Sequence, residues 1–152
     1  MASVMPLKSL PEDEQEARLK NVATTRVRGY PVLSSDGSHL GTVDDLWVDA
    51  HERLVRYLAL DPSGGRELIY RQLVLLPKAL WHIDQARGVI LTRVTEEQVR
   101  TAPVLAAGVA PTLNLEEEVS AHFRLPPYWE HLARVTPATG GTEPEAARER
   151  KA

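Results

Sequence analysis

The sequence contains no cysteine, which excludes disulfides and thiolate metal sites and suits a reducing compartment. It has no uninterrupted apolar run long enough to cross a bilayer. Residues 1–20 carry no apolar stretch of signal-peptide length and are acidic in the middle. Positive charge is not in excess either. Eighteen lysines and arginines against 21 aspartates and glutamates leave a net charge of −3, which argues against a nucleic-acid partner held by broad phosphate attraction. A nucleophile elbow, a phosphate loop and a dinucleotide fingerprint are all missing, so the chain is not expected to be an enzyme by itself. Its five histidines (His39, His51, His82, His122 and His131) lack metal-ligand spacing.

What is present is a β-hairpin. Gly41-Thr42-Val43-Asp44-Asp45-Leu46-Trp47-Val48-Asp49 and Leu54-Val55-Arg56-Tyr57-Leu58-Ala59-Leu60 are rich in β-branched, aromatic and aliphatic residues. Ala50-His51-Glu52-Arg53 is a polar link of hairpin length. By alternation Val55, Tyr57 and Ala59 share one face of the second strand, and Leu54, Arg56, Leu58 and Leu60 the other. An antiparallel sheet with one wet face would show a polar row, but here a single charge stands among leucines. The hairpin is therefore expected to be covered on one side by its own core and on the other by a partner, with Leu58 and Leu60 on the docking side. Trp47, Val55 and Tyr57 are expected to be core.

Eleven prolines and nine glycines suit short elements and many turns. Glu12 to Lys20 reads as a solvated helix behind the capping-box sequence Ser9-Leu10-Pro11-Glu12. Tyr30 to Leu33 is a first strand, turned by Asp36-Gly37 into the hairpin. Asp61-Pro62-Ser63-Gly64-Gly65 turns the chain again toward Arg66 to Tyr70. Leu73 to Leu76, Leu80 to Ile83 and Val89 to Val94 read as further strands. Thr95-Glu96-Glu97-Gln98 is a capping box for a short helix, and Asn114-Leu115-Glu116-Glu117 opens a second, ended by Pro126-Pro127. About six short strands in about seventy residues predict a mainly β fold, a small barrel with short flanking helices and extended termini. The expected organisation is an arm over 1–28, the barrel over 29–101, a helical extension with a docking segment over 102–136, and a mobile tail over 137–152.

The run Gly29-Tyr30-Pro31-Val32, Asp36-Gly37, Gly41 to Asp49 and Arg56-Tyr57-Leu58 resembles the PRC-barrel. More narrowly, the sequence resembles the cytoplasmic domain of the H subunit of the purple-bacterial-type photosynthetic reaction centre. The narrower resemblance continues through Thr95 to Gln98, Ala102-Pro103 and Leu113 to Glu118, with a weaker match at Met5-Pro6-Leu7-Lys8. It implies a barrel that caps the cytoplasmic face of the L and M subunits, stabilises the complex and helps protonate the secondary quinone. Bacteriochlorophyll, bacteriopheophytin, quinone and iron would then belong to the partner subunits and none to this chain. The chain departs from that pattern in lacking the amino-terminal membrane helix and the histidine- and aspartate-bearing loop before the barrel. It also has extra residues around Leu73 to Ala79, and Tyr70 where a proline is usual. A split or truncated H subunit is expected, peripheral on the photosynthetic membrane through protein partners. Another chain would supply the anchor, and light-harvesting polypeptides are further candidate partners.

The resemblance aligns Glu52 and Arg56 with a carboxylate and a guanidinium beneath the quinone site. If the strand is extended through both, they share a face, with Cα atoms roughly 13 Å apart. Two readings stand: a proton relay, which needs partial burial of the acid, or a surface glutamate beside an arginine that pairs with a partner. His51 is a candidate proton donor. Asp44, Asp45 and Asp49 could form a hard-cation cluster, but alternation separates Asp44 from the others, and turn-end charges are the simpler reading. Tyr128 and Trp129, after Pro126-Pro127, are expected to dock on a partner, the alternative being packing on the chain's own barrel. A free-standing PRC-barrel adaptor that binds protein, as ribosome-maturation factors do, is the alternative to the reaction-centre reading.

Overall fold

The structure, a computed structural model, describes residues 4–7, 19, 21–22, 24–49, 51–66, 71–127 and 129. The expected helix over Glu12 to Lys20, the strand candidate over 67–70, Tyr128 and the tail over 137–152 lie outside the described residues. The fold is mainly β, as its turn-punctuated apolar runs require. β1 (Met5–Pro6), β2 (Pro31–Leu33), β3 (His39–Asp49), β4 (Leu54–Asp61), β5 (Gln72–Pro77), β6 (Trp81–Asp84) and β7 (Val89–Thr92) come first. They are followed by α1 (Glu96–Arg100), β8 (Leu105–Ala106) and α2 (Leu113–His122). Neighbours in the sheet run β6-β7-β2-β3-β4-β5-β8, with β1 alongside β3. β6 opens this path while β5 lies near its other end, yet only the 3-10 turn Lys78–Leu80 separates them in the chain. The sheet must therefore curl back on itself. The indole N–H of Trp81 fixes that closure by donating to the Leu76 carbonyl at 2.9 Å.

The eleven residues of β3 serve β2 and then β1 on one edge and β4 on the other. β2 also pairs in parallel with β7, Val32 opposite Ile90 and Leu33 opposite Leu91. Gly41 permits the crowding where β3 passes the end of β4. Its φ is 149°, and a Cβ there would stand 2.2 Å from the Asp61 carbonyl oxygen.

Two irregularities interrupt the β3–β4 register. Val43 faces Leu60 and Asp45 faces Ala59, so Asp44 is the extra residue on β3. Trp47 faces Tyr57 and Val48 faces Val55, so Arg56 is the extra residue on β4. A bulge re-aims the side chain it carries, and both of these carry a charge.

Trp47, Val55 and Tyr57 are buried. So are Leu58 and Leu60, both 0% exposed, which corrects the expectation that their side chains dock a partner. Leu58 and Leu60 are covered within the chain itself, while α2 reaches the other row of β4, at Tyr57, through Glu116. Full burial of a leucine stabilises by about 1.5–3 kcal/mol, so withdrawing either side chain to meet a partner would cost the barrel that much.

Several boundaries also differ from the expected ones. The first strand starts at Pro31, and Leu80 belongs to the 3-10 turn. The last long strand stops at Thr92, before Val94. α1 has its capping box, Thr95 accepting from the Gln98 N–H at 3.1 Å and Gln98 accepting from the Thr95 N–H at 2.9 Å. α2 is capped by Thr112, which accepts from the Leu115 N–H at 3.1 Å, whereas Asn114 bonds Glu118 on the surface. Nor do the prolines end α2. Arg124 adopts φ 59°, and the N–H groups of Arg124 and Leu125 donate back to Ala121 and Ser120, the Schellman arrangement with arginine in the usual glycine position. Among the described residues no helix is long and apolar enough to cross a membrane.

Candidate functional site

The bulge at Arg56 and the end of β3 assemble a cluster of charges inside the fold. Asp49 is 1% exposed. Its Oδ1 accepts from the Glu52 N–H at 3.1 Å, holding the hairpin turn, while its Oδ2 lies 3.6 Å from Arg56 Nη2. The Arg56 side chain is only 12% exposed. Next along β4, the Tyr57 hydroxyl donates to Glu116 Oε1 at 2.8 Å, and Glu116 is 3% exposed. Burial pushes the Glu116 carboxyl above its ordinary value; the Tyr57 hydrogen bond and the Arg56 charge pull against that without cancelling it. One guanidinium thus serves two buried acids, one of them inclined to hold a proton.

Asn21 braces the strand beneath this cluster. Its amide donates to the Val55 carbonyl at 2.8 Å and accepts from the Val55 N–H at 2.9 Å. β4 pairs with β5 only from Tyr57 to Leu60, so the side-chain amide supplies the hydrogen bonds a neighbouring strand would otherwise give Val55.

The sequence pairs Glu52 with Arg56, but the structure pairs Arg56 with Asp49. Glu52 is half-buried in the turn rather than in the strand, and Arg53 at φ 61° intervenes before β4, so strand alternation does not extend to Glu52. His51 is exposed at the turn. From sequence, Asp49 reads as a turn-end charge and Glu116 as a helix-opening acid. For Asp49 a weak signal exists, an acid directly after the apolar run Leu46-Trp47-Val48, whereas Glu116 stands first of three consecutive glutamates and carries none.

Asp44, Asp45 and Asp49 do not converge. The bulge sends Asp44 to Arg71 at 2.6 Å, Asp45 is buried and accepts from the Leu46 N–H at 2.8 Å, and Asp49 meets Arg56. Arg71 also reaches Asp61 at 3.3 Å, tying β3, the end of β4 and the approach to β5 together. Trp129 is half-buried.

The PRC-barrel domain profile matches residues 20–99, more than half of the chain. The chain belongs to the PRC-barrel family. Membership in that family points to a protein-binding or assembly role. The profile ends inside α1, so Glu116 and the rest of α2 lie beyond the matched residues. Of the two buried acids beside Arg56, Asp49 lies within the matched residues and Glu116 beyond them.

Proposed function

We propose that this chain is an H-like cytoplasmic subunit of a photosynthetic reaction centre. In that role it caps the quinone side of the L and M subunits, stabilises their assembly and assists proton delivery to the secondary quinone, without being catalytic itself. It binds no pigment; bacteriochlorophyll, bacteriopheophytin, quinone and iron reside in the partners. It sits on the cytoplasmic face of the membrane through protein contacts, including any separate chain that carries the H membrane helix and the light-harvesting polypeptides. The observation that carries this reading is the buried Glu116 beside Arg56 and Tyr57. It joins the helical extension, whose sequence bears the narrower resemblance, to the hairpin that bears the broader one. A carboxyl whose pKa burial raises holds its proton more readily than a surface acid, and Glu52 and His51 stand at the adjacent turn as outer groups of the proposed path.

Two experiments test this. Pigment-bearing membranes should bring the chain down. In the intact complex, Glu116→Gln and Glu52→Gln should slow the proton-coupled second electron transfer to the quinone more than the first. Wild-type kinetics for both variants at every pH would leave the chain a structural cap only. Absence from pigment-bearing membranes, with recovery on a soluble protein partner, would favour the second reading, a free-standing PRC-barrel adaptor. The profile match, which ends inside α1 and short of α2, supports that reading.

A further inference from the structure

A cleft of about 310 Å³ opens between the start of β4, the end of β5, the 3-10 turn and the end of α2. Its walls are largely apolar, with Val55, Pro77 and Leu125 among them. Arg56 and Lys78 both line it, and none of its described lining residues is an acid. A second cleft of about 200 Å³ shares Asn21 and Lys78 with the first and continues past Trp81 and His82, again with no acid among its described residues. In a chain of net charge −3, the described lining of these two adjoining hollows is cationic or neutral.

Lys78 is where they meet, and its surroundings are incomplete. The half-buried ammonium donates to the Trp81 carbonyl at 3.3 Å and stands 4.6 Å from the centre of the Trp81 ring. Among the described residues no carboxylate lies within ion-pair distance of it. Burial lowers the pKa of Lys78; a carboxylate brought alongside would favour the ammonium form and make a charge-assisted hydrogen bond in a partly dry setting.

We propose that this groove receives an extended peptide segment of a partner protein, with an acidic side chain seated at Lys78 and flanking apolar side chains lying against Val55, Pro77 and Leu125. The argument is charge complementarity: an apolar cleft with the Lys78 ammonium at its junction and no described acid in its lining recognises a carboxylate between apolar groups. It does not depend on the reaction-centre reading, since any partner bearing such a segment would fit.

The test uses the full chain, ¹⁵N-labelled, and two capped pentapeptides, Gly-Leu-Glu-Leu-Gly and its glutamine counterpart, titrated by heteronuclear NMR. The glutamate peptide should shift the Trp81 indole N–H and the amides of Val55, Ser120 and Leu125 to saturation. The glutamine peptide and Lys78→Met should each bind roughly tenfold more weakly, the worth of one charge-assisted hydrogen bond. Lys78→Arg should retain binding, and amide spectra of each variant report whether the fold is kept. Equal binding of the two peptides, saturating shifts at another surface, or no shifts at all would overturn the proposal. Concentration-dependent shifts of the same resonances without peptide would seat a second copy of the chain there and overturn it too.

Discussion

At the scale of single residues, the Glu116 carboxyl ties stability to pH. Its raised pKa means that the folded state favours the protonated acid. The stability this contributes is complete below the ordinary value of 4.5 and is lost as pH rises through the folded-state value. Glutamine has nothing to titrate there and still accepts from the Tyr57 hydroxyl. Glu116→Gln should therefore gain on the wild type as pH rises above 4.5, read as urea midpoints across a pH series; parallel curves would place the carboxyl in water. Gly41 is constrained differently. With φ 149° and a carbonyl 2.2 Å from any added Cβ, Gly41→Ala should lose more than about 1 kcal/mol, measured by chemical denaturation. Glu116 cannot be singled out from the sequence, because its significance comes from a tyrosine 59 residues away in the chain. Gly41 stands inside a recognisable strand, but nothing local marks which strand glycine will face a carbonyl.

At the scale of elements, the hairpin is legible because its apolar and β-branched density leaves few alternatives, and the capping box of α1 because four local residues specify it. The bulges at Asp44 and Arg56 are not. A bulge is a property of the register between two strands, and neither strand records it alone. That is why alternation puts Arg56 on a row with Leu58 and Leu60, and why neither strand alone marks that row as covered within the chain. β1 and β8, two residues each, are too short to show a period of two. The Asn21 brace is invisible for a similar reason, since it acts as a strand without being one. Asn21→Ala leaves the Val55 N–H and carbonyl without these partners, and should cost about 1–3 kcal/mol. Amide hydrogen exchange at Val55 should rise by more than at Leu58, whose ladder stays intact; a uniform rise would mean that the loss is global rather than at this brace.

At the scale of the whole molecule, the Asp44–Arg71–Asp61 bridge sets how the barrel meets acid. Burial alone would raise the Asp61 carboxyl, but the hydrogen bonds from the Ser63 hydroxyl and N–H and the Arg71 guanidinium outweigh it and hold Asp61 below its ordinary 3.8. Stability from this group is present above 3.8 and is lost as pH falls through the lower folded-state value. Asp61→Asn should be less stable than the wild type at neutral pH and should lose less on acidification. Thermal melts from neutrality down to strong acid would show it, and an unchanged gap at every pH would remove the bridge from the account.

The parallel seam between β2 and β7 has a consequence for how the chain is made. Pro31–Leu33 leaves the ribosome well before Val89–Thr92, at synthesis rates of about 5–20 residues per second an interval of several seconds. Throughout it, the outer edge of β2 has no strand to receive it, and an unmatched edge invites pairing with other chains. Because non-local parallel pairing is also slow to form, the nascent protein is most open to misassembly just before its seventh strand arrives. Ribosome-bound chains stalled short of Val89 should be more protease-sensitive at β2 than chains stalled with β7 fully emerged.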